Sequence, residues 1–470
     1  MTIVFIPHTS AIRTSVLCLS LVLTQQMVAQ PHVVNTKQGY SMLLNFDNRG
    51  VFGRASYPGV WFGIDPGPDS VGLAYPVGQP FEHLFGAGIW VGGKLDTAHI
   101  GTSPQIIGVT TGCDDIYPGL EFYPGNLPAD TIWKVHGRGV QRPQTWDAYW
   151  GDAIPGVSLS DNDHYCTYTD TSVRVTNHIP LRLKVIQSTF AWNDPYAEAI
   201  DIVEFKIINV GFKQIDSVYM GFFLEGDVGP YHVPQYVSHN YTAYYPDLRT
   251  AYIHNPVDVG STPVGVALLK ASRPLDSLRL AYRWYPISLQ MPSTDPERYA
   301  IINSGIIQPD EFPSVSDTRC VLSCGPFTMR PRTEPAPDTV LVAFALLSGQ
   351  SLSALRQHAA HARVLYLNGG LPASVQPRGS GTPETFELFQ NFPNPFNPTT
   401  TIRYSLPKAS FVTLTVTNTL GQDVAQLVDD QQRAGYHEAV FRGDGLASGV
   451  YFCLIRAGDF TATGKMLMVK

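Results

Sequence analysis

At 470 residues and a net charge of −7, the chain is too long for one ordinary domain, and it carries no run of five basic residues for nucleic acid or an anionic membrane to grip. Apolar residues make up 44% and charged ones 15%, beside 41 Gly, 37 Pro, 23 Phe, 23 Tyr and 7 Trp. That mixture suits short strands joined by tight turns and excludes long solvated helices.

In chain order, residues 1–29 read as a secretory signal peptide. Arg13 precedes the apolar run Ser15–Leu23, and Met27-Val28-Ala29 offers a small residue before a cut. The run falls short of the roughly 20 residues a membrane span needs. No later stretch is long and apolar enough, so no transmembrane segment is expected in the mature chain. A lipid anchor on Cys18 is the rival reading, disfavoured by the bulky Leu17 before it. The remaining cysteines, Cys113, Cys166, Cys320, Cys324 and Cys453, are odd in number and lack zinc spacing. They are expected to be small buried hydrophobes, with Cys320 and Cys324 on one face of a strand.

Residues 30–372 form a β-rich body. Strand-like runs cover Leu181–Phe190, Ile200–Asn209, Ser217–Glu225, Val264–Lys270 and Asp338–Leu347. The second and third are expected to be neighbours joined through Gly211–Gln214. One helix is expected over Ser351–Val364, with Leu352, Leu355, Ala359 and Ala362 on one stripe. The fold class is therefore mainly β, a large body of one or two β-sandwiches.

Several patterns in the body touch on chemistry. GIWVGGKL (Gly88–Leu95) nearly spells a phosphate loop, but Leu95 stands where a hydroxyl must bind magnesium and no helix follows, so a glycine-rich strand and turn is expected. His358 and His361 share a helix face without the glutamate base of a metalloprotease, and are read as solvent-facing. No G-x-S-x-G nucleophile elbow occurs. Asp161 and Asp163 sit in a turn and are candidates for Ca²⁺, though a full calcium loop is missing; no other cofactor is expected. Trp146 and Trp150 lie in the densest aromatic patch and are candidates to stack a ligand, against the commoner role of aromatics as core. Asp147, Asp152, Asp163, Glu204, Glu225 and Asp227 are the carboxylates from which a glycosidase pair would be drawn, with no pair preferred.

From Leu371 to Thr385 the chain is rich in Pro, Gly and Ser, and residues 373–384 are read as a linker. Alternation then returns over Thr401–Leu406 and Phe411–Thr417, the second placing Val412, Leu414 and Val416 on one face and threonines on the other. Further strands are expected at Asp423–Val428, Tyr436–Phe441, Gly449–Arg456 and Phe460–Val469. Six or seven such strands predict a small sandwich over 385–470.

In this tail FQNFPNPFNPTTTIRYSLP (Phe389–Pro407), the turn Asn418–Gln422, LASGVYF (Leu446–Phe452) and KMLMVK (Lys465–Lys470) follow in order. Together they make residues 385–470 resemble the type A sorting domain of the type IX secretion system of Bacteroidetes and their relatives, an Ig-like sandwich of the kind found in the flagellar hook-capping protein. The resemblance implies recognition by type IX secretion machinery at the outer membrane, then release or attachment to surface lipopolysaccharide. It also implies that Gly449, Tyr451, Lys465, Met466, Leu467, Met468 and Val469 carry the sorting signal. A plain structural reading, compatible with that one, puts Gly449 in a turn and Tyr451 in the core. Recurrent Asp-Ser/Thr-apolar triplets, such as those at Asp69, Asp96, Asp130, Asp216, Asp276 and Asp338, resemble the O-glycosylation signal of such exported proteins. For the body, no catalytic motif stands out. A non-catalytic binding, adhesion or surface-matrix module is favoured, with glycans among its partners, and a secreted polymer-degrading hydrolase is the alternative.

Overall fold

The computed structural model describes residues 33–35, 42–56, 72–77, 81–95, 106–113, 121–124, 130–150, 153–171, 178–230, 233–258, 260–288, 292–333, 338–367, 385–389, 391, 394, 396 and 398–468. The segment read as a signal peptide, Cys18 and residues 373–384, read as a linker, lie outside them. Of the described residues, 52% are strand and 13% helix, which fixes the mainly β class.

Two large antiparallel sheets build the body. The first runs Val33–Asn35, Leu43–Asp47, Val51–Phe52, Gly86–Leu95, Ile215–Glu225, Thr318–Met329 and Arg279–Pro286. Leu73–Ala74 and Ile106–Thr111 branch from it. The second runs Tyr241–Tyr245, Thr250–His254, Val264–Ala271, Thr339–Ser348, Ile200–Asn209, Leu183–Ala191, Asn162–Thr169 and Trp133–His136. Alternate residues meet between the layers: Met220, Phe222 and Leu224 with Cys320, Leu322 and Cys324 on one side, Val203, Phe205 and Ile207 with Val342, Phe344 and Leu346 on the other. The two sheets thus share one core, as inward-facing side chains of a sandwich must. All five described cysteines are buried free thiols.

The central strands are apolar on both faces because helices cover their outer sides. Leu352–Leu367 lies on the second sheet through Leu355, Ala359, Ala362 and Leu365, the stripe that the sequence spacing marks. Asp295–Ile302, opened by a reciprocal Thr294–Glu297 capping box, lies on the first sheet with Tyr299 and Ile302 against Tyr219, Phe223 and Val321. Its seat explains the glycine-rich strand Gly86–Leu95. A Cβ on Gly92 would stand 2.6 Å from Ile302 Cδ1, and one on Gly88 would stand 2.5 Å from the Cys113 backbone nitrogen. The run that nearly spells a phosphate loop is a central strand throughout.

Two expectations are corrected. Ile200–Asn209 and Ile215–Glu225 are not neighbours: the first pairs with Leu183–Ala191 and Thr339–Ser348, the second with Gly86–Leu95 and Thr318–Met329. The link between them crosses from one layer to the other. Buried Asn209 organises it, donating to Lys213 O at 2.8 Å and Met329 O at 3.1 Å and accepting from Gly211 N. His358 and His361 face the interior instead of solvent. His358 Nδ1 donates to Ser348 O at 2.7 Å, and His361 donates to Tyr196 O at 3.1 Å while its ring stacks on Tyr196 at 4.2 Å.

Seven strands make up the tail. Glu387–Leu388, Thr399–Leu406 and Gly435–Arg442 form one sheet, and Asp423–Gln432, Ser410–Asn418, Gly449–Ala457 and Phe460–Met468 the other. Val412, Leu414 and Val416 are fully buried with Ile402, Tyr404, Cys453 and Ile455 between them.

Candidate functional site

The densest aromatic grouping of the body sits on the outer face of the second sheet. The chain leaves Trp133–His136, makes a turn at Gln144–Trp146 and a one-turn helix at Asp147–Trp150, and rejoins the sheet at Asn162. Trp133 packs edge-on against Trp146 (4.5 Å between centroids), Tyr149 (5.6 Å) and Trp150 (5.9 Å), and Tyr165 backs the group at 6.4 Å from both Trp146 and Trp150. Such edge-to-face contacts hold rings rigidly. Of the two tryptophans marked from sequence, Trp150 is core, its buried Nε1 without a hydrogen-bond partner among the described residues, whereas Trp146 is half-buried. Trp133 is also half-buried and Tyr149 is 45% exposed; sequence reading did not single them out.

Polar bonds pin this lobe. Arg142 donates to Ile154 O at 2.8 Å and pairs with Asp147 at 2.7 Å. Lys206 reaches Ala153 O from the sheet below and lies 3.6 Å from Glu204, which accepts from the Tyr366 hydroxyl. Burial and the adjacent Asp163 push the Tyr165 hydroxyl far above its ordinary pKa, so it remains a neutral donor to Asp163.

Asp161 and Asp163, the calcium candidates, bind separate sets of protein donors. Asp161 is held by Arg138 in a two-pronged pair at 2.8 Å and accepts from Asn193 N. Asp163 is buried and accepts from Leu159 N, Ser160 N, the Ser160 hydroxyl and Tyr165, and burial raises its pKa. Three other marked carboxylates are each bound to a side chain: Asp147 to Arg142, Glu204 to Tyr366, and Glu225 to Arg319 at 2.5 Å. Asp152 lies outside the described residues.

Sequence reading also missed a buried cluster on the first sheet. Among the described residues, Glu121, His178 and Asp295 bring three ligand-type atoms within 4.8 Å of one another. Arg298 Nη1 already stands among them, 3.1 Å from Glu121 and 3.7 Å from Asp295, and supplies the positive charge a cation would bring. Glu121 also accepts from Thr111 N and Oγ1, and Asp295 from Ile179 N. Burial works against protonation of His178, but its Asp295 hydrogen bond and the charges of Glu121, Asp295 and Asp170 outweigh it and raise its pKa. The arrangement ties two loops to the Asp295–Ile302 helix as an ion network.

In the tail, the carried-over sorting residues separate by face. Met466 and Met468 are fully buried, and Lys465 and Leu467 point outward. Tyr451 is buried and donates to Ala447 O at 2.8 Å. Gly449 does not occupy a turn: it opens the strand Gly449–Ala457 with a φ of +158°, in the positive range that residues with a side chain rarely adopt. Val469 lies outside the described residues. Asn418 builds the predicted turn, its carboxamide accepting from Leu420 N and Gln422 N.

No curated protein matches the chain. Among solved structures it resembles a polysaccharide lyase at 7% identity and TM-score 0.25, over 82% of this chain and 40% of the lyase, so the chain spans well under half of that protein's length. It also resembles the adhesin domain of Epf from Streptococcus pyogenes at 6% identity and TM-score 0.14, over 72% of this chain and 91% of that domain. Likenesses at these scores carry no argument about the body. The family described as secretion system C-terminal sorting domain matches residues 390–470. Residues 390–470 are thus a type IX secretion C-terminal sorting domain, and the protein that carries them is exported to the cell surface or the extracellular space.

Proposed function

We propose that this is a surface-delivered binding protein in three functional units: a β-sandwich body (30–372) that engages an extracellular glycan, a linker (373–384), and an Ig-like sorting unit (385–470) that takes it out of the cell. The observation that carries the binding reading is the pinned aromatic lobe. Its half-buried Trp133 and Trp146 and exposed Tyr149 offer apolar ring surface beside the Arg142–Asp147 pair, a combination suited to a sugar's apolar face and its hydroxyls. The Ig-like reading of the tail is supported by Tyr451. It stands two residues before Cys453 and its hydroxyl bonds back to Ala447 O, as in a tyrosine corner.

The test is adsorption of the full chain to a panel of insoluble polysaccharides, with soluble products assayed in the same tubes. Depletion without product is expected, weakened about tenfold or more in Trp146→Ala and Tyr149→Ala, since each stacked ring is worth roughly 1–2 kcal/mol. Release of soluble sugar would replace the binding reading with the hydrolase one.

A further inference from the structure

The FPNPFNP motif precedes the tail's long strands, yet its described residues reach the last one. Asn394 Nδ2 donates to Lys465 O at 3.0 Å, and Asn394 Oδ1 accepts from Leu467 N at 2.7 Å. Two residues on, Phe396 N donates to Leu467 O at 2.9 Å, and Phe396 pairs with Met468 as a parallel bridge. Phe460–Met468 is the edge strand of its sheet, bonded along one side to Gly449–Ala457. On the other side three consecutive outward main-chain groups, Lys465 O, Leu467 N and Leu467 O, are taken by this segment. A single carboxamide therefore does the work of a strand neighbour.

The segment itself is anchored. Phe396 is 1% exposed and packs edge-on against Phe441 at 5.8 Å. Buried Asn391 donates to the Thr400 hydroxyl at 2.9 Å, and Pro398 O accepts from Gly443 N at 2.7 Å. Gly443 in turn leaves room for Met468, whose Sδ would lie 2.7 Å from any Cβ there. The latch thus connects the tail's first long strand to the end of its last, at the residues whose side chains, Lys465 and Leu467, face outward.

We propose that Asn391, Asn394, Phe396 and Pro398 form a latch on the terminal strand, and that Asn394 is the positioning residue that presents Lys465 and Leu467 to the export machinery. The inference rests on the sorting function of the tail and names the device by which the tail displays its signal. An unlatched edge would leave main-chain groups open and the end of the strand free to fray.

The experiment uses the full chain in a type IX-competent host, comparing Asn394→Ala and Asn394→Asp with the parent. Surface and periplasmic fractions are measured, and amide exchange is followed on the purified proteins. In Asn394→Ala, exchange at Leu467 should quicken about tenfold, the equivalent of about one net hydrogen bond. Amides of Ser410–Asn418 should keep their protection, and the surface fraction should fall severalfold. Asn394→Asp keeps the acceptor for Leu467 N and loses the donor to Lys465 O, so it should fall between parent and Asn394→Ala on both readouts. Faster exchange at Leu467 with undiminished delivery would overturn the proposal, as would unchanged exchange. So would a delivery defect seen only where Ser410–Asn418 also loses protection, since Asn394 would then serve the fold alone. A chain lacking residues 385–470 runs alongside: its retention in the periplasm separates failure of the latch from failure of the sorting reading.

Discussion

At the scale of single residues, the body's stability is set by charged and titratable groups that sequence alone presents as ordinary. Arg298 is 2% exposed in its side chain and shares Glu121 and Asp295. Replacing it with Met would strand two buried carboxylates, and Arg298→Met is expected to lose about 3–5 kcal/mol in urea unfolding. The histidines give a pH dependence with two limbs. His83, His164 and His361 are buried, and burial lowers their pKa to about 4, 3 and 3. The unfolded chain therefore takes up these protons first, so stability is fully present above about 6.5 and is lost as pH falls toward those values. His178 has the opposite sign. Its folded pKa is raised, so its contribution is full below about 6.5 and is lost as pH rises through the raised value. Unfolding measured from pH 4 to 9 should show a maximum between the limbs, and His178→Gln should flatten the upper one. An unaltered upper limb in that variant would count against the ion network as drawn.

At the scale of elements, strand and helix periodicities were legible in the sequence because each element meets a defined surface. The stripe Leu355, Ala359 and Ala362 is the covered face of its helix, and the alternation Val412, Leu414, Val416 is the buried face of its strand. What periodicity cannot show is which sheet a strand joins. A hairpin and a crossing between layers bury the same alternate residues, and here Asn209 and Gly211 decide for the crossing. The helical histidines were misread for a related reason: their polar atoms find carbonyl partners at Ser348 and Tyr196, more than a helical turn away in sequence. Of the candidate site, Trp146 and Trp150 were visible as a cluster. Trp133 was not drawn into it, because only the return of the chain to the sheet edge brings it to 4.5 Å from Trp146. The network of Glu121, His178, Asp295 and Arg298 spans 177 positions from Glu121 to Arg298 and left no local signature. The glycine-rich strand yields a graded test. Gly92→Ala meets the end of Ile302, whereas Gly88→Ala meets main chain, which cannot yield. Both should destabilise, by about 1–3 kcal/mol for Gly92→Ala and by more for Gly88→Ala, read from denaturation midpoints.

At the scale of the whole molecule, one chain combines a body built for rigidity with a tail built to be read. The body encloses its core between two broad sheets and seals the outer faces with helices, and the aromatic lobe presents partly exposed rings on the outer side of the second sheet. In the tail the residues proposed to carry the sorting signal divide between core and surface, so that Met466 and Met468 hold the strand while Lys465 and Leu467 face outward. Delivery by this tail is the claim on which the rest depends, and it is tested most directly by following the full chain and a chain ending at residue 384 in a type IX-competent host. The full chain should reach the surface or the medium while the shortened one accumulates in the periplasm. Equal surface delivery of both would contradict the account.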